Sequence, residues 1–456
     1  MVFHAANPPD FDWLIQSDRV HRRLYTDPAL FELEMERIFG GTWSYLGHES
    51  EIPQPGCFVR RSVGRRPILL TRGQDGQIHG LFNRCTHRGT LLITADKGCS
   101  KRLTCPYHGW CFGLDGRLHT LPVAESYANP HKASFHLGQL QVETYRGLIF
   151  GTLAAQPPEL TNWLGAALPW LDEHLDRHPK GTLRLVNSPV RLEFAGNWKL
   201  LWDNAADGIH ATFAHRSYNQ LGHQAKTKTI LARNPASTPM VSQTLDHGHC
   251  VVDQRPGILG GPWLTMRQLP TREALEGSLR AQYPPEMLDL ATGNMVNLSL
   301  FPNLLLVGNQ LMVVEPQAVD RTRIHLYLAM AEDVPEAINL LRLRVDEDFV
   351  SFGTPDDLAI FERIQEGLVG IPEEEWLDIS RGEHAGDQED DWGRVTGSIA
   401  TEAPIRAYWQ EWKRLMKDPV PLQVRRAVGG ARENGGLEGA KTRASASHSS
   451  LPEPIN

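Results

Sequence analysis

No apolar run in this 456-residue chain approaches the length of about 18 residues that a membrane-spanning helix needs. The N-terminus, MVFHAANPPDFDW, lacks a basic stretch followed by an apolar one, so no secretion signal is expected and the reading is cytoplasmic. No GxGxxG opens a βαβ unit, which leaves no recognisable flavin or nicotinamide site and requires any reducing electrons to come from another protein. Internal repeats are absent. A basic surplus is also lacking: the net charge of −8 argues against nucleic acid as a partner, because phosphate binding needs a dominant positive surface. Cysteine is scarce, at six residues, but five of them (Cys57, Cys85, Cys99, Cys105 and Cys111) crowd into one segment, with Cys250 far away. In a reducing compartment such crowding points to metal binding over disulfides.

What is present is the composition of an ordinary globular protein, 41% apolar and 22% charged, in a chain long enough to require two cores. Charge is unevenly spread. From Cys57 to Asp115 there are ten Lys/Arg against three Asp/Glu, so the remainder carries a net −15. A solvated face and a docking surface for an acidic partner both explain that segment.

The hydrophobic pattern changes three times. PALFELEMERIF, 28–39, has helical spacing. From Trp43 to Leu153, short β-rich runs (CFVRRSV, RPILLTR, LIFGTL) alternate with turn signals such as GQDGQ and GLDGR, predicting a small antiparallel β domain. Beyond Pro157, helical runs flank strand-like ones (MVSQTL, LLLVGNQLMVVEP, TRIHLYLAM). The expected fold class is therefore α+β, the second domain being an antiparallel sheet flanked by helices. The expected units are 1–42, a helical segment packing on the larger domain; 43–155, the β domain; 156–424, the larger domain; and 425–456, a Gly/Ala/Ser/Arg/Glu-rich tail expected to be disordered.

Two constellations carry chemistry. The first is Cys85-Thr86-His87, seventeen residues, then Cys105-Pro106-Tyr107-His108. Two Cys and two His could hold zinc tetrahedrally. The unequal CxH and CxxH spacings in a β domain equally suit two loop tips, each offering a thiolate and an imidazole to a two-iron cluster, whose potential the imidazoles raise. Gly89 and Gly109 suit loops in which backbone amides approach sulfur. Cys57, Cys99 and Cys111 lack a partner pattern and are expected to be small core residues.

The second constellation is Asp203-Asn204-Ala205-Ala206-Asp207-Gly208-Ile209-His210, continuing to His215. Two His and a carboxylate on one face, with positions left open, suit an oxygen-activating iron. Five residues turn an ideal helix by about 140° beyond a full turn, so His210 and His215 converge only at a distorted helix or a helix end. Thr354-Pro355-Asp356-Asp357 downstream reads as a helix start, Thr354 capping, where first-turn acids also serve the helix dipole. The pairs His174/His178 and His247/His249 have no carboxylate or cysteine at diagnostic spacing.

CTHRG and CPYHGW resemble the cluster signatures of Rieske-type ring-hydroxylating oxygenases, and EFAGNWKLLWDNAADGIHATFAH resembles the NWK…ENxxDxYHxxxxH segment of the same family. Asp203 and Ile209 depart from that family's usual Glu and Tyr. SFGTPDDLAIFERIQEGL is similar to the benzoate/anthranilate dioxygenase branch. The resemblance, which covers about residues 20–415, implies a Rieske [2Fe-2S] cluster on Cys85, His87, Cys105 and His108, and a mononuclear Fe(2+) on His210, His215 and Asp357. It also makes Asp207 the carboxylate that links His210 to His108 of a neighbouring copy. It implies an α-subunit trimer, often with a small β subunit, fed by a ferredoxin or flavin reductase. The implied reaction inserts both atoms of O2 into a small arene as a cis-dihydrodiol, an aromatic carboxylate being the expected substrate. Monooxygenation and demethylation use the same machinery, and a non-oxygenating Rieske carrier would leave Asp207, His210 and His215 without a role. Expected pocket walls are Trp202, Ala206, Leu221, Leu306, Asn309, Leu311 and Phe352. For the electron donor, Arg60, Arg61, Lys101 and Arg102 are the expected docking cations.

Overall fold

A computed structural model describes residues 9–427, apart from 132, 178–180, 187, 217–239, 256–276, 278–279, 282–283, 285–295 and 384–386. Leu221 and most of the expected 425–456 tail lie outside the described residues.

The first sheet is antiparallel. Its strands run in spatial order Ser44–His48, Leu148–Thr152, Gly138–Tyr145, Ile78–Phe82, Arg66–Arg72, Cys57–Val63 and Lys97–Cys99. Alternation places successive side chains on opposite faces. Ile68 and Leu70 join Leu46, Val59 and Ile149 in one core, whereas Leu69 between them joins Leu103, Trp110 and Phe112 in another. That second core also buries Cys85 and Cys105, so the face of the sheet that holds Leu69 supports the two ligand loops.

Cys57 and Cys99 are not separate core residues as expected; they form a disulfide. Strand register places them directly opposite each other, a relationship that 42 residues of separation conceal in the sequence. Cys111 is only partly buried, 3.6 Å from Thr104 Oγ1.

The second sheet is also antiparallel. Along its main path it runs through Leu183–Leu185, Arg321–Ala331, Gln310–Ala318, Leu304–Val307, Val296–Leu300, Cys250–Asp253, Val241–Thr244, Val395–Ser398 and Gln388–Glu389. Helix Ala403–Lys417 covers part of it with a stripe of Ile405, Tyr408, Trp409, Trp412, Leu415 and Met416, the i, i+3, i+4 spacing of an amphipathic helix. Phe11, Leu24, Phe31 and Met35 from the N-terminal segment pack in the same core. Helix Pro28–Arg37 is capped by Asp27, whose carboxylate accepts from Ala29 N at 2.9 Å.

A polar knot lies inside this apolar layer. Glu34 accepts from Lys199 Nζ at 2.6 Å and from the indole N–H groups of Trp198 and Trp412, each at 2.8 Å, with both charged side chains fully buried. Burial holds the Lys199 amine below its usual range, and Glu34 opposes that shift. Three segments distant in sequence thereby fix helix Lys199–Ala205, which leads into the site.

The expected boundary at 424/425 is corrected. Arg425–Arg426 forms a strand paired with Gly138 and Gln139, so the chain returns to the cluster-bearing sheet after completing the second domain.

Candidate functional site

The two cysteine–histidine loops close in the same way. Cys85 N donates to Thr90 O at 2.8 Å and Gly89 N to Cys85 O at 3.0 Å; Cys105 N donates to Trp110 O at 2.8 Å and Gly109 N to Cys105 O at 3.1 Å. Gly89 and Gly109 sit at φ +82 and +69, which an L side chain adopts only with strain. The closures bring the His87 and His108 rings to 4.5 Å, edge to face, with Trp110 stacked on His87. Cys85 and Cys105 are buried and interact, and burial pushes the Cys85 thiol up. Both imidazoles leave a buried Nδ1 without a hydrogen-bond partner. Two buried, interacting thiols and two imidazoles with unsatisfied nitrogens, carried by the same pair of loops, fit a cluster with two sulfur and two nitrogen ligands.

The second site forms where helix Lys199–Ala205 ends. After Asp207 and Gly208 the chain makes only a one-turn helix, His210–Phe213, which provides the helix break that the five-residue His spacing requires. Gly208 is needed for close approach: a Cβ there would lie 2.6 Å from Ile399 O.

The carboxylate arrives differently from the expectation. Thr354 does not cap a fresh helix; Glu336–Asp348 runs through a wide π turn, Phe349–Gly353, straight into Thr354–Gly370. Such turns add a residue to the helical circuit and recur at functional sites. Gly353 accommodates the Phe349 ring, 2.6 Å from where a Cβ would stand, and that ring lies 5.7 Å from the ring of His215.

Ligand atoms of His210, His215 and Asp357 all lie within 4.8 Å of one another. Asp357 Oδ1 is 3.3 Å from His215 Nε2 and 3.9 Å from His210 Nε2, and it has no hydrogen-bond partner. Asp356 stands on the far side of the ring, 3.6 Å from His215 Nδ1. Burial pushes the Asp357 carboxyl up to about 7, with His210 and Asn204 opposing and Asp356 adding to the rise. Burial and neighbouring His210 take His215 down to about 4. A buried neutral imidazole and a carboxyl lacking a cation are the chemistry of a donor set that fits a divalent metal.

Asp207 meets His210 from behind: its Oδ1 is 3.5 Å from His210 Nδ1 and accepts from Ile209 N at 2.6 Å and His210 N at 2.7 Å. Burial alone would raise its carboxyl, but His210 and Arg381 hold it well below the usual range. Arg381, to which the sequence reading gives no role, pairs with Asp207 Oδ2. Its position 174 residues downstream gave no local signal.

The remaining expectations separate. Trp202 is fully buried, donates to Pro302 O at 2.8 Å and packs with Ala206 in the core beneath the site helix. Leu306 and Leu311 belong to a second core, and Asn309 accepts from Arg177 at 2.6 Å. Phe352 lies within the wide turn. A cleft of about 540 Å³ between the two sheets, lined by Tyr45, Arg61, Glu315 and Tyr327 among others, includes none of these residues and none of the site triad. His249 has an ordinary hydrogen-bonding role, between Trp163 O and Phe301 N. Arg61 is corrected as a docking cation: it is largely buried, paired with Glu51, and donates to Leu46 O at 2.7 Å. Arg60 is exposed but paired with Asp96 at 2.6 Å, and Lys101 and Arg102 are exposed as well. Among the described residues, no helix is long and apolar enough to cross a membrane.

Residues 42–145 match the Rieske [2Fe-2S] domain family, and residues 183–418 match the ring hydroxylating alpha subunit catalytic domain. The chain is 32% identical over 380 residues to the anthranilate 1,2-dioxygenase large subunit of Acinetobacter baylyi, covering 80% of each chain. It is 32% identical to the toluate 1,2-dioxygenase alpha subunit of Pseudomonas putida, covering 79% of this chain and 82% of that one. Its fold is similar to naphthalene 1,2-dioxygenase from Rhodococcus sp., with TM-score 0.72 and 25% identity, over 87% of this chain and 94% of that one. The twin cysteine–histidine loops and the His–His–Asp triad thus sit in a chain that belongs to the Rieske non-heme iron ring-hydroxylating dioxygenase α subunits, in the benzoate/anthranilate branch, whose cofactors are a [2Fe-2S] cluster and a mononuclear iron.

Proposed function

We propose that this α subunit cis-dihydroxylates a small aromatic carboxylate, using O2 and electrons drawn from NADH through a separate ferredoxin or flavin reductase. The observation that carries the oxygenase reading is the convergence of His210, His215 and Asp357, whose ligand atoms meet within 4.8 Å and include an unpartnered carboxylate oxygen. The substrate class is supported by the relatives, which are named for anthranilate, 2-halobenzoate and toluate.

In this reading Cys85, His87, Cys105 and His108 hold the cluster, and His210, His215 and Asp357 hold the iron from one side. When bound, the iron supplies O2 activation and the cluster supplies electrons one at a time. Asp356 orients the His215 ring through Nδ1, as outer-shell carboxylates do for ligating imidazoles. Asp207 relays between His210 and His108 of a second copy, so the working unit holds more than one chain, and we take it to be a homotrimer, alone or with a small β subunit. Lys101 and Arg102 remain exposed for the electron donor. We place the enzyme in the cytoplasm. For the arene we retain Trp202, Ala206, Leu306, Asn309, Leu311 and Phe352 as wall residues, with size changes at Ala206 the first to test.

Metal analysis with EPR of the purified protein tests the core of this reading. Three irons per chain and a Rieske signal are expected. Two irons would leave an electron carrier, and zinc would leave a scaffold. A panel of aromatic acids with a surrogate reductase tests the substrate class, which falls if only uncharged arenes are turned over.

A further inference from the structure

Asp207 is saturated on one oxygen and held on the other. Its Oδ1 takes two backbone N–H groups and faces His210 Nδ1; its Oδ2 takes the guanidinium of Arg381. Arg381 is itself clamped. Its Nε donates to Ala400 O at 2.8 Å, its Nη2 lies 3.2 Å from Glu402 Oε1, and its own N–H donates to Glu402 Oε2 at 3.0 Å. Its carbonyl accepts from Arg406 at 3.2 Å.

Two glycines make this meeting possible. Gly208, beside Asp207, lies against Ile399, and Gly382, beside Arg381, lies at φ +87 against Thr401, where a Cβ would stand 2.4 Å from the Thr401 hydroxyl. Both segments are therefore docked on the same stretch, 399–402, from which Glu402 and Ala400 hold the arginine.

We propose that Arg381 is a positioning residue for electron transfer between the two metal centres: it fixes the rotamer of Asp207, so that Oδ1 stays on the backbone of His210, 3.5 Å from its ring, while Oδ2 keeps one acceptor position for a second imidazole. This rests on the relay reading of Asp207 given above. A carboxylate oxygen accepts two hydrogen bonds, so Arg381 occupies half of Oδ2 and aims the other half. Arginine suits this because its planar donors fix direction as well as charge. Without it, Asp207 and Glu402 face each other as two carboxylates, each largely buried, and Oδ2 loses the donor that sets its direction.

The test uses the full-length enzyme with its cluster pre-reduced, mixed with O2 and substrate, while cluster re-oxidation is followed optically. Arg381→Met is expected to slow that step about ten-fold or more, within the range usual for outer-shell orienting groups. Iron content, cluster EPR signal and cluster potential are expected to stay unchanged. Arg381→Lys, which restores the charge with less directional control, is expected to recover part of the rate. A crystal structure of Arg381→Met is expected to show Asp207 Oδ2 displaced while His210 keeps its place. Asp207→Asn, run in parallel, separates the two readings. If Asp207→Asn leaves re-oxidation unchanged, the relay falls and this inference with it. If Asp207→Asn slows the step and Arg381→Met does not, the relay stands and the role of Arg381 is overturned. Loss of iron or of folding in both Arg381 variants also overturns it, since Arg381 would then be a general support.

Discussion

Asp356 and Asp357, adjacent in sequence, address opposite nitrogens of one imidazole: Asp357 Oδ1 lies 3.3 Å from His215 Nε2 and Asp356 Oδ2 lies 3.6 Å from Nδ1. In the function proposed above, one residue shares a metal with the ring and its neighbour helps to orient it. Asp357→Ala is therefore expected to abolish mononuclear iron binding while the cluster signal persists. Asp356→Asn should retain iron but weaken its retention by about 10–100-fold. Iron content after dialysis against a graded chelator measures both. Equal losses in the two variants would refute the division of labour.

The buried Lys199–Glu34 pair predicts an asymmetric response to mutation. Lys199→Met leaves Glu34 buried with only two indole donors, which is expected to cost about 3–5 kcal/mol. Adding Glu34→Gln removes the stranded charge and should restore part of the loss. Denaturant unfolding of the single and double variants reads this directly, and a double variant less stable than the single one would contradict it.

His249 predicts acid sensitivity. It is buried, with Nδ1 accepting from Phe301 N and Nε2 facing Trp163 O, and burial takes it down to about 3. Because the unfolded imidazole, near 6.5, binds its proton more readily than the folded one, stability is full above about pH 6.5 and is lost as pH falls toward 3. The loss attributable to this group is on the order of 4 kcal/mol across that window. His249→Gln should lower stability at neutral pH yet flatten the slope between pH 6.5 and 3, measured as the denaturation midpoint at each pH. An unchanged slope would assign the acid limb to other groups.

Local chemistry was legible in the sequence where it is carried by short motifs. Cys85, His87, Cys105 and His108 sit on two short loops whose glycines announce their turns, and those loops bring the rings of His87 and His108 to 4.5 Å. The awkward spacing of His210 and His215 foretold a broken helix, and one is present. What could not be read depends on register and long-range approach. Cys57 and Cys99 meet only because two strands align them, Arg381 reaches Asp207 across 174 residues, and Arg425–Arg426 finds a strand edge nearly 290 residues earlier. Arg61 was misread for a related reason: a count of charges does not reveal that a guanidinium is turned inward to Glu51.

The π turn at Phe349–Gly353 gives the helix Glu336–Gly370 an angular phase. Each residue in a regular helix advances the side chain by about 100°, so the length of this turn, more than the identity of its residues, decides which way Asp357 points. Deleting Val350 should swing Asp357 away from both histidines and remove mononuclear iron while the chain stays folded. A conservative substitution at the same position should leave the iron in place, with iron content and far-UV circular dichroism as the paired readouts. The site is in this sense timed like a gear: one tooth fewer and the carboxylate meshes with nothing.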